Sequence, residues 1–337
     1  MSISIMVNGL PGNMASEVVK AAADSSDVTV VPFSLTGPEI EENVCSVSGI
    51  EFRLIRPEDR DKEIDSVKED FLPFISIDFS HPAAVNDNAD FYCRHELPFV
   101  MGTTGGDREK LRDTVSDQGI SAVIAPNMAK QIVGLQLMLE YAARNFPDLF
   151  SGYSMTVRES HQKGKADTSG TAKSIVEYFT MMGIPFSVED IDKTRDPEIQ
   201  KTEWGVPAEY LGGHAYHTYT VTSGDGTADF QFRHNVRGRR MYALGTLDAV
   251  RFLHNRMEKE KAGCYSMIDV SHYGEDHCDP VFIARCDNLV ITFGPSGLHN
   301  VFDPVGCSCL DRVGKRKERV RSHDSVCKFL FEKFLFR

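Results

Sequence analysis

A chain of 337 residues suggests about two domains, and its 41% hydrophobic content is enough to bury a real core. A charged fraction of 26% is that of a folded globular protein and excludes collagen-like and wholly disordered classes; no apolar run reaches the roughly 18 residues that would span a membrane. The net charge of −12 argues against general nucleic-acid binding, yet residues 312–337 carry nine Lys/Arg against three Asp/Glu, +6, which leaves −18 for the rest.

The chain opens on a strand, Ile3 to Val7, with no basic and apolar leader before it. That predicts a cytoplasmic protein, or a mature organellar chain whose leader has been removed. Only Cys45 and Cys93 fall in the first 263 residues, too few for a disulfide framework, so a reducing compartment is expected. A helix over Asn13 to Ala23 follows, then strands at Asp27 to Phe33, Phe74 to Phe79, Phe99 to Met101 and Ser121 to Ala125, with a helix at Asp107 to Ser116. The acidic stretch from Pro57 to Asp70 has little apolar periodicity and reads as a solvated loop. Strands alternating with helices predict an α/β fold with a parallel sheet covered on both faces.

The first turn, Gly9-Leu10-Pro11-Gly12-Asn13-Met14-Ala15, is a small-residue version of the dinucleotide fingerprint. Glycines let the backbone approach a pyrophosphate, and the following helix N-terminus offers it free N–H groups. The second strand runs out through Ser34 to Gly37 with no acid before Glu39. A carboxylate there would hold the ribose 2′-OH of NAD and repel a 2′-phosphate, so NADPH is favoured and NADH stays open. Gly102-Thr103-Thr104-Gly105 follows another strand, where an open parallel sheet binds ligands.

The second half changes period. Met128 to Asn145 is a long helix, Tyr153 to Glu159 a strand, Ser169 to Met182 a helix, His214 to Thr222 and Ala228 to Val236 an antiparallel hairpin, and Met241 to Met257 a helix. The fold class is therefore an N-terminal Rossmann domain plus an α+β domain with a mainly antiparallel open sheet. The run from Glu159 to Ala172 is densely polar. His161 and Lys165 offer proton-transfer and cationic groups, and Ser169, Gly170 and Thr171 open a helix, which makes an anion site suited to a carboxylate.

His161-Gln162-x-x-Lys165-x-Asp167-Thr-Ser169-Gly170-Thr171-Ala172 resembles the signature of dihydrodipicolinate reductases of the plant type. Val7-Asn-Gly9-x-x-Gly12-x-Met14, Ile77-Asp-Phe-Ser-His-Pro82, Gly102-Thr-Thr-Gly105, Ala125-Pro-x-Met128, Gly213-His-Ala-Tyr-His217, His234-Asn-Val-x-Gly-Arg239 and Met267-Ile-Asp-Val270 follow in the family's order. The resemblance covers roughly residues 3–271.

It implies an NAD(P)H-dependent reduction of 4-hydroxy-tetrahydrodipicolinate to tetrahydrodipicolinate, in the diaminopimelate route to lysine. His161 matches the catalytic histidine and Lys165 the lysine that protonates the substrate carbon. Ser169, Gly170, Thr171 and Arg239, with Thr104 and Gln162, fall to the dicarboxylate substrate. Gly9, Leu10, Pro11, Gly12, Asn13 and Met14 match the pyrophosphate loop. Gly102, Thr103, Thr104, Ala125, Pro126, Asn127 and Met128 match segments around the nicotinamide and ribose. The resemblance also implies a homodimer or homotetramer, and the plastid stroma if the chain is a processed plant-like one. Gln162 stands where bacterial members carry a second histidine, and they have one more residue between Lys165 and Ser169. The alternatives are a non-catalytic NADP-binding regulator and another amino-acid-pathway dehydrogenase such as homoserine dehydrogenase. Neither explains the intact 161–171 motif.

The domains are expected at 1–127 plus 241–271 for the dinucleotide and 128–240 for substrate binding and oligomerisation, with 272–337 an extension of unassigned role. His214 and His217 are read as a same-face pair that packs within the sheet, Arg237, Arg239 and Arg240 as a basic cluster, and Trp204 as a loop anchor. No metal is expected, at those histidines or at Cys307 and Cys309 with His277 and Cys278. The Lys315–Arg319 run reads as a solvated segment, and 326–336 as a short apolar helix.

Overall fold

The computed structural model describes residues 2–259 and 262–272, so the readings made for the extension lie outside the described residues. Apolar runs buried on both faces make its central sheet. In chain order the elements are β1 (Ile3–Asn8), α1 (Asn13–Ala23), β2 (Val28–Val30), β3 (Phe33–Leu35), β4 (Val44–Val47), β5 (Ile50–Ile55), α2 (Arg60–Phe71), β6 (Ile75–Asp78), α3 (Val85–Arg94), β7 (Phe99–Met101), α4 (Arg108–Gln118) and β8 (Ala122–Ile124). Then come α5 (Lys130–Asn145), β9 (Tyr153–His161), α6 (Gly170–Met181), β10 (Asp192–Thr194), α7 (Pro197–Thr202), β11 (His214–Ser223), β12 (Asp229–Arg237), α8 (Arg240–Glu258), β13 (Cys264–Tyr265) and α9 (Met267–His272).

The first sheet is parallel throughout, in the order β13-β8-β7-β6-β1-β2. Strand order reverses at β1, between β2 and β6, and that reversal opens a crevice at the strand C-termini. The expected second strand divides in two. Val31 still donates to Ile5 O, but Pro32 has no N–H to continue the ladder, and Phe33–Leu35 pairs instead with β5 in a separate sheet, β3-β5-β4. The β4–β5 hairpin turns at Ser48 and Gly49, both at positive φ. The acidic stretch is a helix, not a loop: α2 buries Ile64 and Val67, three residues apart, and leaves its charges in water.

In the second part β9, β11 and β12 pair antiparallel and β10 adds a parallel edge, giving β10-β9-β11-β12. Helices α5 and α6 cover one face around Leu139, Ile175, Phe179 and Tyr219. The chain then returns. Helix α8 packs on α1, Arg251 donates two hydrogen bonds to Asp27 at 2.7 and 3.0 Å, and β13 joins the parallel sheet beside β8. Gly245 makes this contact close: a Cβ there would lie 1.7 Å from Met128 O, so only glycine lets α8 rest on the β8–α5 link.

Candidate active site

Three adjoining hollows follow the C-terminal ends of the strands. The first, about 820 Å³, is lined by Gly9 to Gly12, Thr36, Gly37, Glu39, Arg60 and the Phe79–Asn88 region. Gly9 has φ +101°, and a Cβ on it would stand 2.3 Å from Phe79 O. The turn therefore nests into the next strand's loop. Helix α1 starts at Gly12 with no side chain capping it, so its first N–H groups stay available to an anion. Ser34 Oγ accepts from Leu10 N and Thr36 Oγ1 donates to Leu10 O, which locks the turn.

The end of the second strand is more charged than its sequence predicts, with an acid and a base both facing the first hollow. Glu39 folds back until its carboxylate lies against Gly37, so an acid does face the hollow. Arg60, from the start of α2, faces it too, steadied by Asn88 Oδ1 at 3.0 Å. Sequence reasoning could not find Arg60, because it lies outside the fingerprint on a segment read as a loop.

The second hollow, about 790 Å³, brings together Met14, Gly102, Thr103, Thr104, Pro126, Asn127 and Met128 from the first part with Lys165, Ser169, Gly170 and Thr171 from the second. Of the residues expected to hold the cofactor, Asn13 and Ala125 line none of the three hollows; Ala125 is buried and donates to Met101 O. A hub missed by the sequence shapes this end. Buried Asp78 accepts hydrogen bonds from Tyr92 (2.8 Å), Asn88 (2.9 Å), Ser80 (2.8 Å) and Thr103 (2.5 Å), tying the loops after β6 and β7 together.

The third, about 180 Å³, is lined by His161, Gln162, Lys165, His214, Arg239 and Tyr242 among others, so Lys165 and Tyr242 belong to both neighbours. Lys165 Nζ lies 2.8 Å from Asp167 Oδ1, an exposed partner that a substrate carboxylate can replace. Helix α6 has no side-chain cap, but the Ser169 N–H is already given to Glu159 Oε2 at 3.1 Å. The anion site is thus left with the following N–H groups and the Ser169 and Thr171 hydroxyls.

Glu159 is the buried anchor of the loop. It pairs with Arg195 at 2.5 Å, and Arg195 also donates to Lys165 O (2.8 Å) and Asp167 O (3.3 Å). Burial works against the Glu159 charge, but the adjacent His217 and the hydrogen bond from Arg195 outweigh it and bring the carboxyl down to about 2. Gln200 holds the loop's other end, donating to His161 O at 2.7 Å. For His161, burial first and then the neighbouring His217 push the imidazole down to about 3, so it is neutral near pH 7.

The two strand histidines are not a pair. Three residues apart, they face opposite sides of β11. His214 is satisfied by Ser160 Oγ (2.8 Å) and Tyr210 O (3.1 Å), whereas His217 lies 3.2 Å from His161. The expected arginine cluster also divides. Arg237 bonds Tyr216, Arg240 pairs with Asp24, and Arg239 alone lines the third hollow. Trp204 is buried and donates to Thr194. Among the described residues Glu159, His161 and His217 present ligand atoms within 4.8 Å of one another. Glu159 there is already neutralised by Arg195.

Residues 3–128 match the family model described as dihydrodipicolinate reductase, N-terminus, and residues 132–270 match its C-terminus model. The chain belongs to the dihydrodipicolinate reductase family. It is 46% identical over 273 residues to 4-hydroxy-tetrahydrodipicolinate reductase 1, chloroplastic, of Arabidopsis thaliana, covering 81% of this chain and 78% of that one. A probable reductase of the same description from Oryza sativa subsp. japonica is 42% identical, over 81% and 80%. A bacterial relative from Herminiimonas arsenicoxydans is 28% identical, over 80% and 97%. Among solved structures, a dipicolinate-bound dihydrodipicolinate reductase from Paenisporosarcina sp. TG-14 shares the fold, with a TM-score of 0.53, 20% identity, and 80% and 99% coverage. The matched reach of this dihydrodipicolinate reductase family chain ends where its parallel sheet closes, near β13 and α9.

Proposed function

We propose that the chain reduces 4-hydroxy-tetrahydrodipicolinate to tetrahydrodipicolinate with NAD(P)H, the lysine-pathway step for which its relatives are named. The observation that carries this is the second hollow, where Lys165 and the uncapped start of α6 face Gly102–Thr104 and Pro126–Met128. A dinucleotide fits the first hollow, because the Gly9 turn and the free N–H groups of α1 make a cradle that a side chain would fill. Gly9, Leu10, Pro11, Gly12 and Met14 would hold its pyrophosphate, and Gly102, Thr103, Thr104, Pro126, Asn127 and Met128 its nicotinamide end. Bound there, the cofactor supplies a hydride.

The chain's own residues do the rest. Ser169 Oγ and the N–H groups of Gly170 and Thr171 receive one substrate carboxylate, and Arg239, Gln162 and Thr104 lie within the hollows to receive the other. Lys165 stabilises the charge that develops on the substrate and supplies its proton. His161 stands beside it as the second catalytic group. The division into 1–127 with 241–271 and 128–240 is supported by the return of α8 and β13 to the parallel sheet. The relatives' chloroplastic names support the plastid stroma. A homodimer or homotetramer is proposed with it, and light scattering measures which.

The deciding measurement is NADPH oxidation with substrate made freshly by the preceding synthase. Turnover that requires substrate supports the reading. Cofactor binding without turnover overturns it in favour of a non-catalytic NADP-binding protein.

A further inference from the structure

A row of polar side chains crosses the second sheet beneath the reacting end. His217 on β11 is in register with Glu159 on β9 and with His234 on β12. Glu159 and His217 are essentially inaccessible. His217 stacks on His234 with ring centroids 4.5 Å apart. His161, two residues beyond Glu159, approaches the row edge-on, and its Nε2 lies 3.2 Å from His217 Nε2.

Two imidazole nitrogens at that distance share one proton, and its owner decides what the other ring can do. If His161 Nε2 carried it, His217 would need its own proton on Nδ1. His217 Nδ1 is buried without a partner, so a donor there would go unsatisfied. If His217 Nε2 carries it, the proton points toward His161 and also toward Glu159 Oε2, 3.7 Å away, while Nδ1 keeps only a lone pair. Glu159 stays ionised because Arg195 and the Ser169 amide hold it, so it favours the second arrangement. His161, accepting at Nε2, must then bear its proton on Nδ1.

We propose that His217, backed by Glu159, is a positioning residue that fixes the tautomer of His161. His161 accordingly meets the substrate as a neutral Nδ1–H hydrogen-bond donor and not as an acid. This rests on the reductase reading for its consequence in turnover, but not for the tautomer itself. The low proton affinity of His161, set by burial and by His217, agrees with a ring that stays neutral. The proton delivered to the product then comes from Lys165.

The test uses the full chain labelled with ¹⁵N-histidine, and long-range ¹H–¹⁵N correlation spectra at pH 7. His161→Gln assigns the His161 signals. The expected pattern in the wild type is a protonated Nδ1 and a bare Nε2 on His161, and in His217→Leu a mixture of both tautomers. In turnover, His217→Leu is expected to lose about tenfold in kcat with the cofactor KM within about twofold. His217→Gln, which keeps an N–H donor, is expected to recover most of it, whereas a merely structural role would leave the two variants alike. A wild-type His161 protonated on Nε2 overturns the proposal, as does a folded His217→Leu with full kcat. One equivalent of tightly bound zinc in the purified protein also overturns it, because the three side chains would then be ligands. If no variant and no wild type turns over, the reductase reading has failed and the spectra still decide the tautomer.

Discussion

At the end of β1 the cleft is made of backbone: Gly9 at positive φ, Gly12 opening α1, and N–H groups with nothing capping them. At the end of β9 it is made of buried charge: Glu159 and Arg195 beneath a loop whose cation, Lys165, is paired among the described residues with one exposed carboxylate. A cofactor's pyrophosphate carries the same charge throughout a turnover, so fixed dipoles suffice to bind it. A substrate that gains charge and then a proton needs a cation free to answer it, and that cation must be held in place by its surroundings. The sharpest test of this division is Lys165→Ala. It should lower kcat by roughly 10²–10³-fold and leave the KM for NADPH within about twofold, measured by steady-state kinetics. An equal rise in the cofactor KM would mean that the two ends are not separate.

The supporting pair comes next in size. Arg195→Met leaves the Glu159 carboxylate buried with its main partner gone, which should cost about 3 kcal/mol. In a chain of this size that is a fall in Tm of roughly 5 °C, readable by calorimetry. The loop from Lys165 to Ser169 also loses two of its carbonyl contacts. A variant with unchanged Tm would show that Glu159 is held by Ser169 and His217 alone.

These two tests differ in how far the sequence pointed to them. Lys165 stood in an ordered motif at a strand-to-helix turn, where spacing alone places it near the helix N-terminus. Arg195 and Gln200 stand more than 20 residues beyond the motif, one just after a three-residue edge strand and the other on a six-residue helix, both too short to show any period. Their role exists only once β10 lies parallel to β9. The same holds in the first part. The glycine turn was legible because glycine is the only residue its geometry admits, whereas Asp78 looked like one more polar residue at a strand end. Helix α2 was hidden because two apolar residues among many charges suffice to seat a short surface helix. The opposite facing of His214 and His217 follows from their spacing, since an odd separation on a strand always places residues on opposite sides.

Acid should distinguish the two ends more gently. In the unfolded chain His161 and His234 take up protons below their ordinary 6.5, but in the folded chain only near 3, because burial disfavours the charged rings. The unfolded state therefore binds more protons between those limits. Stability is full above pH 6.5 and is lost as the pH falls toward 3. Glu159 adds a further loss below its ordinary 4.5, down to about 2. The urea midpoint should accordingly be lower at pH 5 than at pH 7, and His234→Phe, which keeps the aromatic stack, should flatten that slope. An unchanged slope would mean that the buried ring nitrogens of His234 do not keep it neutral.

The smallest effects are expected at the adenosine end, where the charges are partly exposed and water screens them. Arg60 and Glu39 face the same hollow beside Thr36 and Gly37, one able to pair with a 2′-phosphate and the other to accept from a 2′-hydroxyl. Arg60 is steadied by Asn88, which also serves Asp78, so the arginine reaches the hollow with little freedom to lose. Glu39 has no such tether among the described residues and should contribute less. Arg60→Leu is thus expected to lower kcat/KM for NADPH by about five- to tenfold while NADH changes by less than twofold. Glu39→Gln should shift the ratio toward NADPH by about two- to threefold, since it removes a carboxylate near the phosphate. If both substitutions move the ratio in the same direction, the two side chains do not read the ribose. Discrimination would then have to come from the backbone around Thr36 and Gly37, and the adenosine end would be built like the pyrophosphate turn after all.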